Sequence, residues 1–308
     1  MRTVSSMYRH SSHSMTKEEK KQLYSDINLY YRERAEELGD LLLDSSLING
    51  TTSKKYTHKI IKCGDYYQVY YYHDLHSKKD TSLEPLDQDF IFKKENLYRQ
   101  RDQQFIEYKN IQRSKFQMQR LVKANENVFK TFMTLTFAEN ITDLKKAHHD
   151  FLIFRKQVKR ALQKQKKEFF YIAVPEFQSR GAVHYHILSN IDIKNSTIII
   201  PQNNKKNCYD VKYWNKGFSS VFEVKDINVV GYMTKYMTKD IDNRLFGHRR
   251  YYYSRNLLQP DVMYVDQDDI RENSNILFAE LMCDLNYVHI YFDKFGNEIE
   301  YKEYKLRK

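Results

Sequence analysis

Apolar positions recur along this chain with two different periods. Between Asp143 and about Lys167, the residues Leu144, Ala147, Phe151, Phe154, Val158 and Leu162 fall three or four apart, which predicts a long amphipathic helix. The flanking segments are runs of strand-forming residues, Phe129 to Phe137 before the helix and Phe169 to Phe177 and Ala182 to Leu188 after it. The predicted order is β, α, β, β. A looser helical spacing of Phe105, Tyr108, Ile111, Phe116, Met118 and Leu121 marks a basic helix or helix pair over about Asn96 to Asn127, and Asp226 to about Ile241 reads as a further helix.

The ends of the chain carry separate signals. Thr16 followed by Glu19 is a capping box opening a helix toward Leu43, with Leu23, Ile27, Tyr30, Tyr31 and Leu38 as its apolar side. Tyr56 to Tyr72 predicts two strands joined at Cys63-Gly64-Asp65, and Phe295-Gly296-Asn297 a hairpin near the end. Asp74 to Asp89, with Pro85, is the best linker candidate in the first third. Between Ser189 and Phe222 no period stands out, and the length of this polar stretch suggests a functional loop.

Composition narrows the partner. Among 308 residues, 51 Lys and Arg face 40 Asp and Glu, and the net charge of +11 makes a polyanion, with nucleic acid leading, the natural ligand. Nine Lys or Arg between Lys145 and Lys167, against Asp150 alone, give the long helix either a solvated face or a DNA-facing flank. The 26 Tyr and 18 Phe either fill cores or stack on unpaired bases. Cys63, Cys208 and Cys283 lack metal-knuckle or disulfide spacing and fit a reducing cytosol. No stretch approaches about 18 apolar residues, and Met1 to Met15 is polar, so neither membrane spanning nor secretion is expected. No G-x-x-x-x-G-K-[ST] occurs, so no helicase activity is expected of the chain itself.

The sharpest local feature is Pro175-Glu176-Phe177-Gln178-Ser179-Arg180-Gly181-Ala182-Val183-His184-Tyr185-His186. A hairpin turning through Ser179, Arg180 and Gly181 places Gln178 opposite Ala182 and Glu176 opposite His184, while alternation puts His184 and His186 on one face. Two imidazoles and a carboxylate so gathered suit a divalent cation, manganese or magnesium and also zinc. A bulge or one-residue slip at Pro175 would turn Glu176 away.

The second feature is Gly231-Tyr232-Met233-Thr234-Lys235-Tyr236-Met237-Thr238-Lys239, in which Tyr-Met-Thr-Lys occurs twice at a period of four. On a helix, Tyr232 and Tyr236 share a face, and Lys235 and Lys239 share another. Met233 and Met237 are the expected core contacts. A phenol with its pKa near 10 attacks phosphorus only with help from positive charge, which the lysines and a hairpin-bound cation would supply.

Phe132-Met133-Thr134-Leu135-Thr136-Phe137, His184-Tyr185-His186 and Tyr232 to Lys239, in that order and spacing, resemble the three motifs of the HUH endonucleases. The likeness runs from about Tyr98 to Pro260 and is greatest to the replication initiators of microviruses, the small phages with circular single-stranded DNA, and to related proteins of plasmids and integrative elements. Phe246-Gly247-His248-Arg249-Arg250, leading to Ser254 and Pro260, looks like the segment that follows the tyrosine helix in that group. The resemblance implies an α+β class with a ferredoxin-like core, a central antiparallel sheet flanked by helices, beside a mostly helical N-terminal extension. The division that follows is residues 1–97 as extension, 98–260 as endonuclease domain and 261–308 as tail.

It further implies His184 and His186 as metal ligands with Glu176 as the acidic third, Mn2+ or Mg2+ as cofactor, and Tyr232 and Tyr236 as nucleophiles with Lys235 and Lys239 beside them. Such enzymes nick an origin, keep the 5′ phosphate on tyrosine and leave a 3′ hydroxyl for a host polymerase, in the bacterial cytoplasm and with host helicase and single-strand-binding protein. In single-tyrosine relatives only one position acts, here Tyr232 with Lys235. The competing readings are a transposase or relaxase of the same superfamily and a noncatalytic origin-binding repressor. Relaxases usually place the tyrosine before the metal histidines, the reverse of the order found here.

Overall fold

The computed structural model describes residues 16–29 in part, 55–77, 110–194, 197–202, 209–224, 233, 243–245, 248–265, 274–292 and 298–307. In chain order these form β1 (Lys55–Cys63), β2 (Tyr66–Ser77), α1 (110–124), β3 (Thr131–Phe137), α2 (Leu144–Lys164), β4 (Tyr171–Phe177), β5 (Val183–Ser189), β6 (Ile199–Pro201), β7 (Tyr209–Val211) and β8 (Gly217–Glu223). A 3-10 turn at Asn243–Leu245 follows, then β9 (Tyr252–Tyr253), β10 (Asp261–Val265), α3 (Ser274–Met282), β11 (Cys283–Phe292) and β12 (Glu298–Leu306). The class is mixed α+β with antiparallel pairing throughout the described strands. Two compact units result, one of Glu84–Gln259 and one of Met1–Leu83 with Pro260–Lys308.

In the unit of Glu84–Gln259, seven strands run in the order β6-β7-β8-β3-β5-β4-β9. β5 lies between β3 and β4 and is antiparallel to both, so β3, α2 and β4 make a split β-α-β. Helix α2 covers one face because the six residues spaced at three and four are all buried. They pack on Met133, Leu135, Phe137, Tyr185 and Ile187 from alternate positions of β3 and β5. Phe151 stacks on Tyr185 with centroids 4.6 Å apart and planes 10° from parallel. Truncating such a buried ring costs about 3–5 kcal/mol.

Both ends of α2 follow from local chemistry. The Asp143 carboxylate accepts from the backbone N–H of Lys145 and Lys146, satisfying donors that have no helical partner. At the other end Lys166 adopts φ +57°, and the N–H groups of Lys166 and Lys167 donate to the carbonyls of Gln163 and Leu162. This is a Schellman closure with lysine where glycine is usual.

The opposite face buries Phe132, Ile172, Val174 and Leu188 beneath Met118, Leu121 and Val122 of α1, together with Met233 and Leu257. Within α1, Ile111, Met118 and Val122 recur at seven and four, and Phe116, which the looser spacing groups with them, is 49% exposed. Two residues of helix turn about 200°, so Phe116 points away from the stripe through Met118. Where α1 ends, Asn125 donates Nδ2 to the carbonyls of Leu121 and Leu258 and accepts from the Leu258 N–H at 2.9 Å.

The stretch after β5 extends the sheet by β6, β7 and β8, strands of three, three and seven residues. Trp214 ties it to β3, donating Nε1 to the Thr136 carbonyl at 2.9 Å and meeting Phe137 edge-on at 4.9 Å. A Cβ on Gly217 would lie 2.2 Å from the Thr136 carbonyl oxygen and 2.3 Å from the Ala138 nitrogen, so only glycine allows β8 to approach β3 this closely.

The second unit is a five-stranded sheet in the order β10-β1-β2-β12-β11. β1 and β2 form the expected hairpin, closing at Cys63 opposite Tyr66 with Gly64 at φ +59°. β10, β11 and β12, all beyond Pro260, complete its sheet, so the segments set apart as an extension and a tail share one core. Ile60, Val69, Val265, Leu285 and Val288 form that core with Ile276 and Ala279 of α3. At the predicted capping box the Thr16 N–H donates to Glu19 Oε2 and the Glu19 N–H to Thr16 Oγ1. Residues 23, 27, 30, 31 and 38 of the predicted helix lie outside the described residues, as do 293–297 and Cys208. Cys63 and Cys283 are buried. No described helix is long and apolar enough to cross a membrane.

A candidate active site on the β4–β5 hairpin

The hairpin turns as its residues dictate. Gln178 N–H donates to the Ala182 carbonyl, Gly181 N–H to the Gln178 carbonyl, and Gly181 takes φ +88°, a conformation open to glycine. Pairing runs without a slip from Tyr171 opposite Ser189 to Phe177 opposite Val183, which sets Glu176 opposite His184. Pro175 is tolerated because β9 pairs with β4 only at Ile172 and Ala173, leaving the strand beyond them as an edge with no ladder N–H required.

Glu176, His184 and His186 therefore share one face of the sheet, the one carrying α1 and Met233, while Val183, Tyr185 and Ile187 point to α2. His184 and His186 are buried, with 9% and 5% of their surface exposed. Their ring centroids lie 6.3 Å apart. His186 Nε2 is 2.7 Å from Glu176 Oε2, and its Nδ1 is 3.3 Å from Oγ1 of Thr134, the residue opposite it on β3. Phe132 stacks on the His186 ring at 5.8 Å and 17°. The imidazole is thus fixed on both nitrogens and one face, an orientation that suits a ligand or a proton carrier.

Among the described residues no three His, Cys, Asp or Glu side chains stand in an arrangement that holds a metal ion. The donor chemistry nevertheless fits a divalent cation, since two imidazoles and a carboxylate share one face and Glu176 already reaches His186. Here Glu176 Oε2 and His186 Nε2 face each other directly.

Tyr232, Lys235, Tyr236 and Lys239 lie outside the described residues. Met233, between them in sequence, is helical and fully buried in the core on the histidine face, as its place in the Tyr-Met-Thr-Lys pattern predicts. Further along, the Arg244 guanidinium sits 3.8 Å over the Phe177 ring and donates Nη1 to the Gly181 carbonyl at 3.4 Å, so the 3-10 turn docks on the hairpin tip. Arg180 donates Nη2 to the Phe137 carbonyl at 2.6 Å, fixing the tip to the end of β3. The chain that follows the two tyrosines in sequence is thereby anchored to the hairpin at Arg244.

Thr134, Phe132, Arg180 and Arg244 are contacts that residue spacing does not reveal. Thr134 becomes legible only once β3 is known to pair with β5, and Arg244 only once the turn after Met233 is placed. Charge divides unexpectedly between the faces. The strongly basic α2 covers the face away from the histidines, whereas Arg113, Lys115, Arg120 and Lys123 belong to α1 on the histidine side.

No curated protein and no solved structure matches the chain. Residues 130–241, which span β3 through β8, the three hairpin residues and the Tyr-Met-Thr-Lys pair, match the family model of the replication-associated protein ORF2, and that likeness supports a replication initiator of the Rep kind.

Proposed function

We propose that the chain is a replication initiator that nicks one strand of a small circular DNA through a tyrosine and holds the 5′ phosphate until the displaced strand is rejoined. The observation that carries this reading is the common face of Glu176, His184, His186 and Met233. Tyr232 and Tyr236 flank Met233 in sequence, and the burial of Met233 on this face supports their part in the reading. The β8-β3-β5-β4 order around the split β-α-β supports a ferredoxin-like core, with β6 and β7 leading into β8 where that fold has a helix. The Rep and HUH affinity suggested by the sequence motifs rests on the same residues.

In this mechanism Tyr232 or Tyr236 loses its phenolic proton and attacks the phosphorus of the scissile phosphodiester. The 3′ oxygen leaves and takes up a proton, giving a 3′ hydroxyl and a 5′ phosphotyrosine. A Mn2+ or Mg2+ ion held by His184, His186 and Glu176 would draw charge from the phosphoryl oxygens. Lys235 and Lys239 orient the phosphate, Thr134 fixes the His186 ring, and α1 supplies cations along the strand. The second tyrosine allows a second cut while the first still holds DNA. A host polymerase, helicase and single-strand-binding protein would extend and unwind the nicked circle in the bacterial cytoplasm.

The test is incubation of the protein with the supercoiled form of the replicon that encodes it, with Mn2+ or Mg2+. The expected products are relaxed circles carrying covalently bound protein. Cleavage in EDTA would overturn the metal assignment, and full nicking by the Tyr232→Phe, Tyr236→Phe variant would overturn the nucleophile. Binding without any nicking would favour the noncatalytic repressor.

A further inference from the structure

The two faces of the five-stranded sheet differ in chemistry. The face under α3 is mainly aliphatic, with Ile60, Val69, Val265, Leu285 and Val288. Across the other face runs a single row with one residue from each strand in register: Tyr264 of β10, Lys59 of β1, Tyr70 of β2, Tyr301 of β12 and His289 of β11. At the usual strand separation the row is roughly 19 Å long.

The members of the row touch one another. The ring centroids of Tyr70 and Tyr301 are 4.9 Å apart, and Lys59 Nζ lies 5.8 Å from the Tyr70 centroid and 5.7 Å from that of Tyr264. Next to it Tyr287, His289 and Tyr291 stack in series along β11 at 6.3 Å intervals. His289 is exposed and Tyr287 is 46% exposed, while Tyr70, Tyr264 and Tyr301 are half-buried. Rings that brace each other edge to edge and still show part of a face are preorganised for stacking.

Ammonium groups stand among the rings. Lys305 Nζ stands 4.9 Å over the Tyr66 ring, in addition to Lys59 within the row. Arg307 offsets the Asp284 carboxylate, while that of Glu303 is buried and accepts from Gln68, Tyr301 and Asn286. Toward the β1–β2 turn the same face is closed, with Ile61, Cys63 and Tyr66 buried, so the open part is the row and the rings beside it on β11. Flat rings with ammonium groups among and beside them match unpaired bases on a phosphodiester backbone.

We propose that this aromatic row is a binding site for single-stranded DNA, separate from the hairpin site. Tyr70, Tyr264, Tyr301 and Tyr287 stack on bases, and Lys59 and Lys305 meet phosphates. The choice of DNA over RNA rests on the replication-initiator reading; the site itself rests on the sheet.

The test is anisotropy of a fluorescein-labelled 20-mer of thymidylate with the full-length protein in EDTA, where nicking plays no part. Replacing Tyr287 and Tyr301 together by Ala should weaken binding at least about tenfold, and replacing both by Phe should leave it within about twofold, because stacking needs the ring and not the hydroxyl. Binding in EDTA needs no nicking, which keeps a failure of the nicking mechanism distinct from a failure of this site. Photocrosslinking of wild type to an iododeoxyuridine 20-mer should mark peptides within residues 56–72 and 283–306, a result independent of whether the Ala variant folds. Crosslinks confined to residues 84–259, wild-type affinity in a folded Ala variant, or equal or tighter binding of duplex DNA or oligouridylate would each overturn the proposal.

Discussion

His186 Nε2 lies 2.7 Å from Glu176 Oε2, a contact between neighbouring strands made by residues ten apart in sequence. If the two also share a cation, Glu176→Gln removes a charged oxygen ligand while keeping its shape. Binding of Mn2+, followed by calorimetry, should weaken at least about tenfold, with His184→Ala weakening it further. Unchanged affinity in Glu176→Gln would mean that the carboxylate only orients the imidazole.

Lys166 closes α2 with φ +57°, where a Cβ costs about 1–2 kcal/mol. Glycine removes that strain but adds freedom to the unfolded chain. Lys166→Gly should raise stability by about 0.5–1 kcal/mol in urea denaturation, and Lys166→Ala should do nearly nothing. Equal effects of the two variants would show that the left-handed backbone carries no strain.

At Gly217 the neighbouring atoms are backbone, which cannot swing aside. Gly217→Ala should cost about 3 kcal/mol or prevent the unit from folding, read by loss of Trp214 burial in fluorescence. A cost under about 1 kcal/mol would mean that β8 moves off β3 easily.

His58 is pushed down to about 4, mainly by burial, and also by Lys302, with Glu300 opposing. It is held against Thr57 Oγ1 at 3.0 Å and Tyr71 at 4.7 Å. Between pH 6.5 and 4 the unfolded chain binds the proton that the folded one refuses, so stability present above pH 6.5 is lost as pH falls through that window. Wild type should lose about 2 kcal/mol more than His58→Gln between about pH 7.5 and 5. Parallel curves for the two proteins would place the acid sensitivity elsewhere.

What the sequence makes legible follows the length of each pattern. Six apolar residues at three and four spacing fix α2 and its buried face, and the Gly181 turn fixes the register that sets Glu176 opposite His184. Strands of three residues such as β6 and β7 are too short to show alternation, so the extension of the sheet is invisible beforehand. Pairings between distant segments are equally hidden: nothing in Tyr70 or Tyr301 alone announces that they lie side by side. Thr134 is the same case at the candidate site, since its role beside His186 exists only through the pairing of β3 with β5.

The unit built from both chain ends has a consequence for synthesis. Its hairpin β1–β2 leaves the ribosome first, yet its sheet partners β10, β11 and β12 are made only after residues 84–259. The interior segment is in effect a guest spliced into a host. The guest can complete its core while the host still waits with one edge of β2 unpaired, and β12, made after β11, is the strand that lies between β2 and β11. Loss of β12 would therefore strike the host and spare the guest, and the pairing of β12 with β2 closes a loop that spans the whole guest.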